Sequence, residues 1–305
     1  MHIVLTGGTG LIGRAFVAHL APQGHTFTVF TRHPEKQPAG LPPDVQRVKW
    51  TPQDPNALAR VLRQADAVVN LMGENIAAGR WNAARKNALY ASRVENGRAL
   101  ASALRLAQPR PPVLLQASAV GYYGDRGNDL LDEHAPPGDD FLARLCVDWE
   151  ASTSSVEGLG MRRVILRTGI VLSREGGALP RMMRPIQWGL GGPLGAGNQW
   201  MPWIHIHDQV AAMSFLLTHE EAHGPFNLTA PQPVTNAELT RAIARKLHRP
   251  AFLRVPAWAL RLAFGEMSQV LLASQRALPQ RLLELGFQFR FPTLDAALDD
   301  LLGQP

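Results

Sequence analysis

Glycines near the start of the chain could hold the phosphates of a dinucleotide. Gly7, Gly10 and Gly13 stand between an apolar run at 2–6 and a stretch of helical spacing. In such a strand–turn–helix unit the first glycine permits a tight turn, and the second lets the backbone approach a pyrophosphate. The third lets the helix pack closely against the strand. The N-terminus of this helix presents free N–H groups to the phosphates. We expect the cofactor to be bound here by Gly7, Thr9, Gly10, Leu11, Ile12 and Gly13.

A cation at the end of the second apolar run indicates which dinucleotide is bound. A carboxylate there would bind the ribose hydroxyls of NAD, but the run 26–32 ends in Thr31 and Arg32. A guanidinium can pair bidentately with a ribose 2′-phosphate. We therefore predict NADP(H) as the cofactor. The alternative is that Arg32 is only a solvated surface charge.

The elements that must position these groups alternate along the chain. Short apolar runs predict strands at 2–6, 26–32, 44–50, 66–72, 113–118 and 162–172. Helical spacing predicts helices at about 11–24, 55–64, 81–107 and 140–158. This alternation predicts an α/β fold, a doubly wound parallel sheet of the Rossmann type. Ligands bind at the carboxyl ends of the strands in such sheets.

The second half of the chain has a different composition. Glycine, proline and tryptophan become frequent from about residue 175, and short helices follow. We expect an NADP-binding domain over 1–172, with its sheet completed by parts of 200–230. A smaller, mostly helical substrate-side lobe would cover 173–305 and include a small C-terminal domain at about 250–302. Glycines at 176, 177 and within 189–197 predict a mobile loop over the ligand.

Composition limits the partners and the compartment. Apolar residues make up 46% of the chain and charged residues 18%, which is typical of a globular protein. The net charge of +6 comes without an arginine-rich run, so we expect an anionic small molecule rather than nucleic acid. The single cysteine, Cys146, cannot form an intramolecular disulfide. With no signal peptide and no apolar run of about 18 residues, the sequence predicts a cytoplasmic protein without a membrane partner.

Further motifs resemble the extended short-chain dehydrogenase/reductase superfamily, which includes sugar-nucleotide epimerases. The resemblance lies in LLQASAVGYYG (114–124), VILRTGIVLS (164–173) and WIHIHDQVAAM (203–213). A closer resemblance is to epimerase family proteins, sometimes called cell-division-inhibitor-like. It lies in GENIAAGRW (73–81), SRVENGRAL (92–100), SAVGYYGDRG (118–127), MPWIHIHD (201–208) and the tail 256–292. This resemblance implies an atypical NADP-binding reductase or epimerase, with Ser118 as the catalytic serine beside the cofactor.

The other catalytic groups of that superfamily are missing from their expected positions. Phe141 stands where the resemblance places a tyrosine, Leu145 replaces the lysine four residues on, and Arg93 replaces an asparagine. Phenylalanine has no ionisable group, and leucine cannot lower the pKa of a neighbour. Tyr123, or else Tyr122, is therefore the candidate acid or base, because both follow the strand of Ser118. The alternative is that these tyrosines only pack the wall of a pocket.

Residues after the fourth strand are the candidates for binding the substrate. Arg80, Lys86 and Arg93 would share one side of a helix that begins near Trp81, and a cationic side facing a cleft suits an anionic substrate. An exposed basic helix face is the alternative. The full set of predicted substrate-binding residues is Asn75, Arg80, Trp81, Lys86, Arg93 and Trp203. We predict no metal site, since the histidines at 205 and 207 lack a Cys or carboxylate cluster.

Two functions remain open at this point. The first is an NADP(H)-dependent reductase or epimerase of a small anionic or sugar-like alcohol or ketone. The second is a non-catalytic NADP(H)-binding regulator or redox sensor. By analogy with the superfamily, helices at 81–107 and 140–158 could pair in a homodimer.

Overall fold

A seven-stranded parallel sheet forms the centre of the molecule in the computed structural model, which describes residues 1–303. The strands of the chain are β1 (His2–Thr6), β2 (Thr26–Thr31), β3 (Gln46–Lys49), β4 (Ala67–Asn70), β5 (Val113–Ala119), β6 (Leu130–Leu131), β7 (Arg162–Thr168), β8 (Ile170–Leu172), β9 (Trp200–Met201), β10 (Trp203–His205), β11 (Gly224–Leu228), β12 (Val234–Thr235) and β13 (Arg276–Ala277). The central sheet has the order β11-β7-β5-β4-β1-β2-β3. The order reverses between β1 and β4, which is where ligands bind in open α/β sheets.

Helices cover both faces of this sheet. Their bounds are α1 (Leu11–Leu20), α2 (Pro55–Leu62), α3 (Ala83–Tyr90), α4 (Asn96–Leu106), α5 (Phe141–Ala151), α6 (Leu179–Gln187), α7 (Ile206–Thr218), α8 (Asn236–Lys246), α9 (Ala257–Phe264), α10 (Gln269–Leu272), α11 (Gln280–Glu284) and α12 (Leu294–Leu302). Short 3₁₀ turns lie at Ala21–Gln23, Val120–Tyr123, Ser154–Leu159 and Gly265–Ser268. The predicted fold class, a doubly wound parallel sheet with a helical C-terminal part, is therefore confirmed.

The apolar core follows the alternation of the strands. In β1, Leu5 joins Phe16 of α1 and the apolar residues of α7 on one face of the sheet. Val4 points to the opposite face, where it packs with Leu58 of α2 and Leu100 of α4. Because both faces are covered, the strands are apolar throughout, as a buried parallel sheet requires.

The predicted strand at 162–172 is two strands, so that prediction is wrong in its extent. The chain leaves the sheet at Gly169, where a Cβ atom would lie 2.3 Å from the carbonyl oxygen of Pro202. Ile170 then donates its N–H to the same Pro202 oxygen at 2.6 Å, and β8 pairs with β10 instead of continuing in the central sheet. Both segments are apolar and extended, so their sequence does not reveal the change of partner.

The predicted helices at 81–107 and 140–158 are also interrupted. The first begins only at Ala83 and contains a π-helical turn, Ala91–Glu95, between α3 and α4. Such turns arise where one extra residue is accommodated in a helix, and they are frequent at functional sites. The second helix ends at Ala151, and a 3₁₀ turn takes up Ser154–Leu159.

Residues after 172 join the rest of the molecule through short strands and helices. α8 and α12 share an apolar cluster with Trp203 and Leu179. β13 pairs with β6, and β11, which is the edge strand next to β7, comes from residues beyond 172. The division into 1–172 and 173–305 stays a prediction, and its last two residues, 304 and 305, lie outside the described residues.

Candidate cofactor and substrate site

The glycine loop between β1 and α1 is held in place by contacts that exclude larger residues. Gly7 has a φ of 68°, and a Cβ atom there would lie 2.5 Å from the carbonyl oxygen of Leu71. At Gly13 a Cβ atom would lie 2.6 Å from the Cα of Gly8, so α1 packs directly on the turn. These are the roles expected of the first and third glycines.

The N-terminus of α1 is open toward the carboxyl edge of the sheet. Gly10 is the N-cap residue, no side chain caps the helix, and its first turn contains no acidic residue. The N–H groups of Leu11, Ile12 and Gly13 have no hydrogen-bond acceptor among residues 1–303. Gly10 itself has an ordinary extended backbone, and a Cβ atom there would meet only the Gly7 oxygen, at 3.3 Å. This single contact is tight but is not a clash of the kind found at Gly7 and Gly13, so a small residue here also leaves space at the start of α1, where helix N-termini bind phosphate groups.

Arg32 directly follows β2, at the same edge of the sheet. Its side chain is exposed and forms no hydrogen bond or ion pair with the rest of residues 1–303. The neighbouring His33 lies 3.3 Å from Glu35 instead. Arg32 therefore has a guanidinium available for an anion.

Two further residues contribute to this loop, of which sequence reasoning missed the first and predicted the second only as part of a loop over the ligand. Arg14 of α1 donates from Nη1 to the Thr9 carbonyl oxygen at 3.0 Å, which braces the loop from the helix. Gly177, with a φ of 76°, lies so close to Leu11 that a Cβ atom would be 3.3 Å from the Leu11 Cδ2. The segment around Gly176 therefore lies over the start of α1. The pair of glycines at 176 and 177 is the sequence signal for this segment, but nothing in the sequence identifies Leu11 as its neighbour.

Polar side chains also form a buried row across β1, β4 and β5. Thr6 donates its hydroxyl to the Asn70 side-chain oxygen at 2.5 Å, and the Asn70 amide donates to Gln116 at 2.8 Å. All three side chains are fully buried. Their hydrogen bonds link the carboxyl ends of three neighbouring strands, next to the switch in strand order.

The Ser118 hydroxyl is hydrogen-bonded to one member of a buried ion pair. Its hydroxyl donates to the Glu150 carboxylate of α5 at 2.6 Å. Arg167 of β7 donates two hydrogen bonds to the same carboxylate, of 2.9 and 3.0 Å. Burial alone would lower the pKa of Arg167, but the hydrogen bonds and charge of Glu150 outweigh it and raise that pKa. The Ser118 hydroxyl is thus engaged, and its catalytic role stays a prediction.

The two candidate tyrosines have different environments. Tyr123 is fully buried, donates to the Asn227 side-chain oxygen at 2.7 Å and accepts from Arg167 at 3.2 Å. Burial raises the pKa of Tyr123 to about 12, so its phenol stays protonated near neutral pH. Tyr122 is partly exposed, and its ring lies under the Arg167 guanidinium at 3.5 Å from the ring centroid. Tyr122 is therefore the more accessible of the two.

Apolar side chains fill the positions where the resemblance places the tyrosine and the lysine. Phe141 packs edge-on against Trp81, with ring centroids 5.3 Å apart. Leu145, Trp81 and Met267 belong to one buried cluster, against which Phe141 packs. The predicted substrate residue Trp81 is therefore largely buried, and its indole N–H donates to the Ile76 carbonyl oxygen at 2.9 Å.

Arg93 lies beneath the loop that follows β4. Its guanidinium donates to the Glu74 carbonyl oxygen at 2.9 Å and to that of Leu89 at 3.3 Å, and it stacks on Trp149. Burial lowers the pKa of Arg93. A Cβ atom on Gly73 would lie 3.1 Å from this guanidinium. Arg93 supports the loop from below, so it does not share a cationic face with Arg80 and Lys86.

The other predicted substrate residues are scattered around this loop. Asn75 and Arg80 are exposed, and Arg80 lies beside Gly265. Lys86 forms a 2.6 Å ion pair with Glu266 and lies over the Phe141 ring, 4.9 Å from its centroid. Trp203 has no exposed surface and donates to the Gln232 carbonyl oxygen, so it has no face to offer to a ligand. We leave Trp203 out of the site proposed below.

Residues 1–303 contain no group of three or more His, Cys, Asp or Glu side chains placed to hold a metal ion. His205 is the N-cap of α7, and its Nδ1 accepts the N–H of His207 at 3.0 Å. Within the same range no helix is long and apolar enough to cross a membrane.

Comparison with known proteins identifies the family. Residues 3–229 match the NAD dependent epimerase/dehydratase family, and residues 255–301 match a domain of unknown function, DUF1731. The chain is 42% identical to an epimerase family protein of Mycobacterium bovis over 301 residues, which cover 97% of this chain and 96% of the relative. It is 37% identical to an epimerase family protein of Staphylococcus aureus, with 99% of both chains covered.

A solved structure supports the same assignment. The human epimerase family protein SDR39U1 (isoform 2), whose crystal structure is with NADPH, is 36% identical and superposes with a TM-score of 0.90 over 100% of both chains. Its fold and its C-terminal part correspond to those described above. The chain therefore belongs to the NAD dependent epimerase/dehydratase family, among the epimerase family proteins that carry the DUF1731 domain at their C-terminus.

Proposed function

We propose that the protein binds NADPH and uses it to reduce the carbonyl group of a small anionic or sugar-like compound. One observation carries this proposal. Both partners for an NADP phosphate, the N–H groups of Leu11 to Gly13 and the Arg32 guanidinium, lack internal partners at the same edge of the sheet. The human relative with NADPH supports the choice of cofactor.

When bound, NADPH supplies a hydride for the carbonyl carbon. The chain itself would hold the phosphates at Gly10 and the start of α1, and Arg32 would pair with the 2′-phosphate. Asn75 and Arg80, exposed on the loop after β4, would orient the negative charge of the substrate. An anionic substrate suits Arg80, which forms no ion pair among the described residues.

Reduction also requires a proton for the carbonyl oxygen. Among the three candidates, the Ser118 and Tyr123 hydroxyls donate to buried acceptors, whereas Tyr122 keeps part of its side chain exposed. We therefore favour Tyr122 as the proton donor. Ser118 and Tyr123 would then position the end of β5 through Glu150 and Arg167.

The cofactor assignment is tested by titrating the protein with NADPH and NADH in a calorimeter. Wild type should bind NADPH the more tightly, and Arg32→Ala should weaken NADPH binding by about ten- to a hundredfold while leaving NADH binding unchanged. Arg98→Ala, at an exposed position of α4, is the matched control. Wild-type binding of NADH as tight as that of NADPH would overturn the assignment.

A non-catalytic NADPH-binding regulator is the second candidate. The apolar cluster of Phe141, Leu145 and Trp81 favours it, because this cluster leaves no ionisable group at the usual catalytic positions. Loss of NADPH absorbance with a panel of carbonyl compounds and sugar nucleotides distinguishes the two functions. A turnover that Tyr122→Phe abolishes supports the reductase, and tight NADPH binding without any turnover supports the regulator.

A further inference from the structure

Large apolar side chains are exposed in three segments of the second half of the chain: 188–190, 252–253 and 258–262. Trp188 is 78% exposed, Phe252 73%, Leu262 72% and Trp258 67%. Leu190 and Leu253 are also exposed. Single exposed apolar residues are ordinary on protein surfaces, but a contiguous set rimmed by polar groups marks an interaction site.

Backbone hydrogen bonds place the segment of Trp188 and Leu190 next to the segment of Phe252 and Leu253. The Leu253 N–H donates to the Gly191 oxygen at 3.1 Å, and the Val255 N–H donates to the Pro193 oxygen at 3.0 Å. The segment that carries Trp188 therefore runs along the segment that carries Phe252. α9 follows directly and presents Trp258 and Leu262 to solvent, one helical turn apart, while its Leu260 is buried. We call the surface of Trp188, Leu190, Phe252, Leu253, Trp258 and Leu262 the exposed apolar face.

The two segments that carry this face contain basic residues and no acidic ones, although Asp208, Glu238 and Glu266 stand directly at their ends. The sequence has two arginines and no Asp or Glu over 177–207, and six basic residues and no Asp or Glu over 239–265. Two of these eight, Arg245 and Lys246, pair with Asp295 and Asp299 of α12. Within residues 1–303 the others form no ion pair; they are Arg181, Arg184, Arg241, Arg249, Arg254 and Arg261. A groove of about 370 Å³ at the end of α8 is lined by Arg241, Arg245, His248 and Arg249.

We propose that the exposed apolar face binds the surface of an anionic lipid bilayer. Tryptophan and leucine side chains enter the interfacial region, and the surrounding arginines pair with lipid phosphates. α9 has the form of an interfacial helix, with an apolar exposed side and Arg261 beside it. This contact needs no spanning helix, so the expectation of no membrane partner, which rests on spanning segments, does not exclude it.

Two other occupants fit the face less well. A second copy of the chain in a two-fold dimer would place the same arginines opposite one another, since such an interface pairs one patch with itself. A nucleic-acid strand would use the arginines and tryptophans, but the exposed leucines at 190, 253 and 262 cannot stack on bases as aromatic rings do. An anionic bilayer uses both the aliphatic and the cationic groups.

The test is flotation of the whole protein with lipid vesicles. Vesicles of phosphatidylcholine with about one third phosphatidylglycerol should carry at least roughly tenfold more protein than pure phosphatidylcholine vesicles, and high salt should reduce this binding. The triple variant Trp188→Ser/Trp258→Ser/Leu262→Ser should lose the binding, and so should Arg249→Gln/Arg254→Gln/Arg261→Gln. The matched control is Leu106→Ser/Val147→Ser, which changes exposed apolar residues of α4 and α5 and should float like wild type.

Each variant must keep the melting temperature and NADPH affinity of wild type, so that a loss of flotation reports on the face and not on folding. Binding that ignores lipid charge, or that survives both triple variants, would overturn the proposal. It would also be overturned if light scattering showed a dimer that only the apolar variant dissociates. Preferential binding of a single-stranded oligonucleotide to the same face would do so as well. None of these readouts depends on a substrate, so they stand apart from the test of the proposed function.

Discussion

The two halves of the carboxyl edge of the sheet differ in whether their polar groups have hydrogen-bond partners within the protein. At β1 and β2 the N–H groups of α1 and the Arg32 guanidinium have no partner among residues 1–303. At β5, β7 and β11 the polar groups are bound within the protein: Ser118 and Arg167 donate to Glu150, and Asn227 accepts from Tyr123. We call the edge at β1 and β2 the open half, because its polar groups are available to a ligand. We call the edge at β5, β7 and β11 the closed half, because its polar groups hold the strands together.

This contrast has a simple electrostatic origin. A carboxylate buried without partners is strongly destabilising, so Glu150 is tolerated only with the hydroxyl and guanidinium that surround it. Exposed N–H groups at a helix end are hydrated and can exchange water for phosphate. A polar residue that the family resemblance marks as catalytic can therefore have a structural role, and its partners show which role it has.

The largest expected effect comes from breaking the closed half. Glu150→Ala leaves the Arg167 guanidinium buried without its carboxylate, so the free energy of unfolding should fall by about 3–5 kcal/mol. NADPH affinity, measured on protein that remains folded, should hardly change. Urea denaturation gives the first quantity and calorimetry the second.

Glu157→Ala provides the control for this variant. Glu157 also pairs with an arginine, Arg163, at 2.8 Å; Glu157 is half exposed, whereas Arg163 is buried and also donates to the Glu150 carbonyl oxygen at 2.7 Å. Because water can replace the half-exposed carboxylate and Arg163 keeps that second hydrogen bond, the loss should stay below about 1–2 kcal/mol. Equal losses from both variants would show that the buried pair is not what holds this half together.

The second prediction distinguishes a glycine that leaves room for a ligand from a glycine that the packing of the fold requires. Gly10→Ala should lower the free energy of unfolding by less than Gly13→Ala, because its Cβ atom would make one tight contact, 3.3 Å from the Gly7 oxygen, which needs to move by only a few tenths of an ångström. The same methyl group would occupy the proposed phosphate position, so NADPH affinity should fall by about ten- to a hundredfold.

Gly13→Ala is the comparison, since its Cβ atom would lie 2.6 Å from Gly8 backbone. It should lower the free energy of unfolding by at least about 1 kcal/mol, because two backbone segments must separate. Thermal melting with and without NADPH distinguishes the variants. Unimpaired NADPH binding by Gly10→Ala would contradict the open-half assignment.

The sequence can point to the open half because the signals for it are local. Gly7, Gly10 and Gly13 lie within one turn and one helix start, and Arg32 follows its strand directly. Apolar runs likewise indicated the strands of the sheet. The break at Gly169 was not predictable, because it depends on the carbonyl oxygen of Pro202, more than thirty residues later.

The closed half depends on contacts between residues far apart in the chain. Glu150 reaches Ser118 across 32 positions, and Asn227 reaches Tyr123 across 104. Neither spacing has a pattern that sequence reasoning can recognise. Trp203 was expected at a ligand for a similar reason: its burial is set by the helices packed around it, which the sequence does not place.

The third prediction tests Ser118 directly. Ser118→Ala removes a hydrogen bond to a charged carboxylate, which should lower the free energy of unfolding by about 1.5–3 kcal/mol. NADPH affinity should stay at the wild-type value if the hydroxyl only holds Glu150. A weakening of NADPH binding without loss of stability would return Ser118 to the cofactor site and contradict its structural role. Ser102→Ala, at an exposed position of α4, is the control.

The smallest expected effect concerns the proton of Tyr123. Burial raises the pKa of its phenol to about 12, above the value of 10.0 for an unperturbed tyrosine. The folded protein therefore keeps this proton at pH values where the unfolded chain has lost it. The free energy of unfolding should fall as the pH rises from about 10 to about 12, by roughly 1 kcal/mol at pH 11.

Absorbance at the tyrosinate band measures this proton in the folded protein. The chain contains three tyrosines, and the phenol of Tyr123 should give a late phase near pH 12. Tyr123→Phe should remove that late phase, whereas Tyr122→Phe should keep it, because only Tyr123 is enclosed with Asn227 and Arg167. A late phase that survives Tyr123→Phe would place the enclosed phenol elsewhere. The Tyr123 phenol would then be accessible to solvent, and the contrast between the two halves would no longer hold at the end of β5.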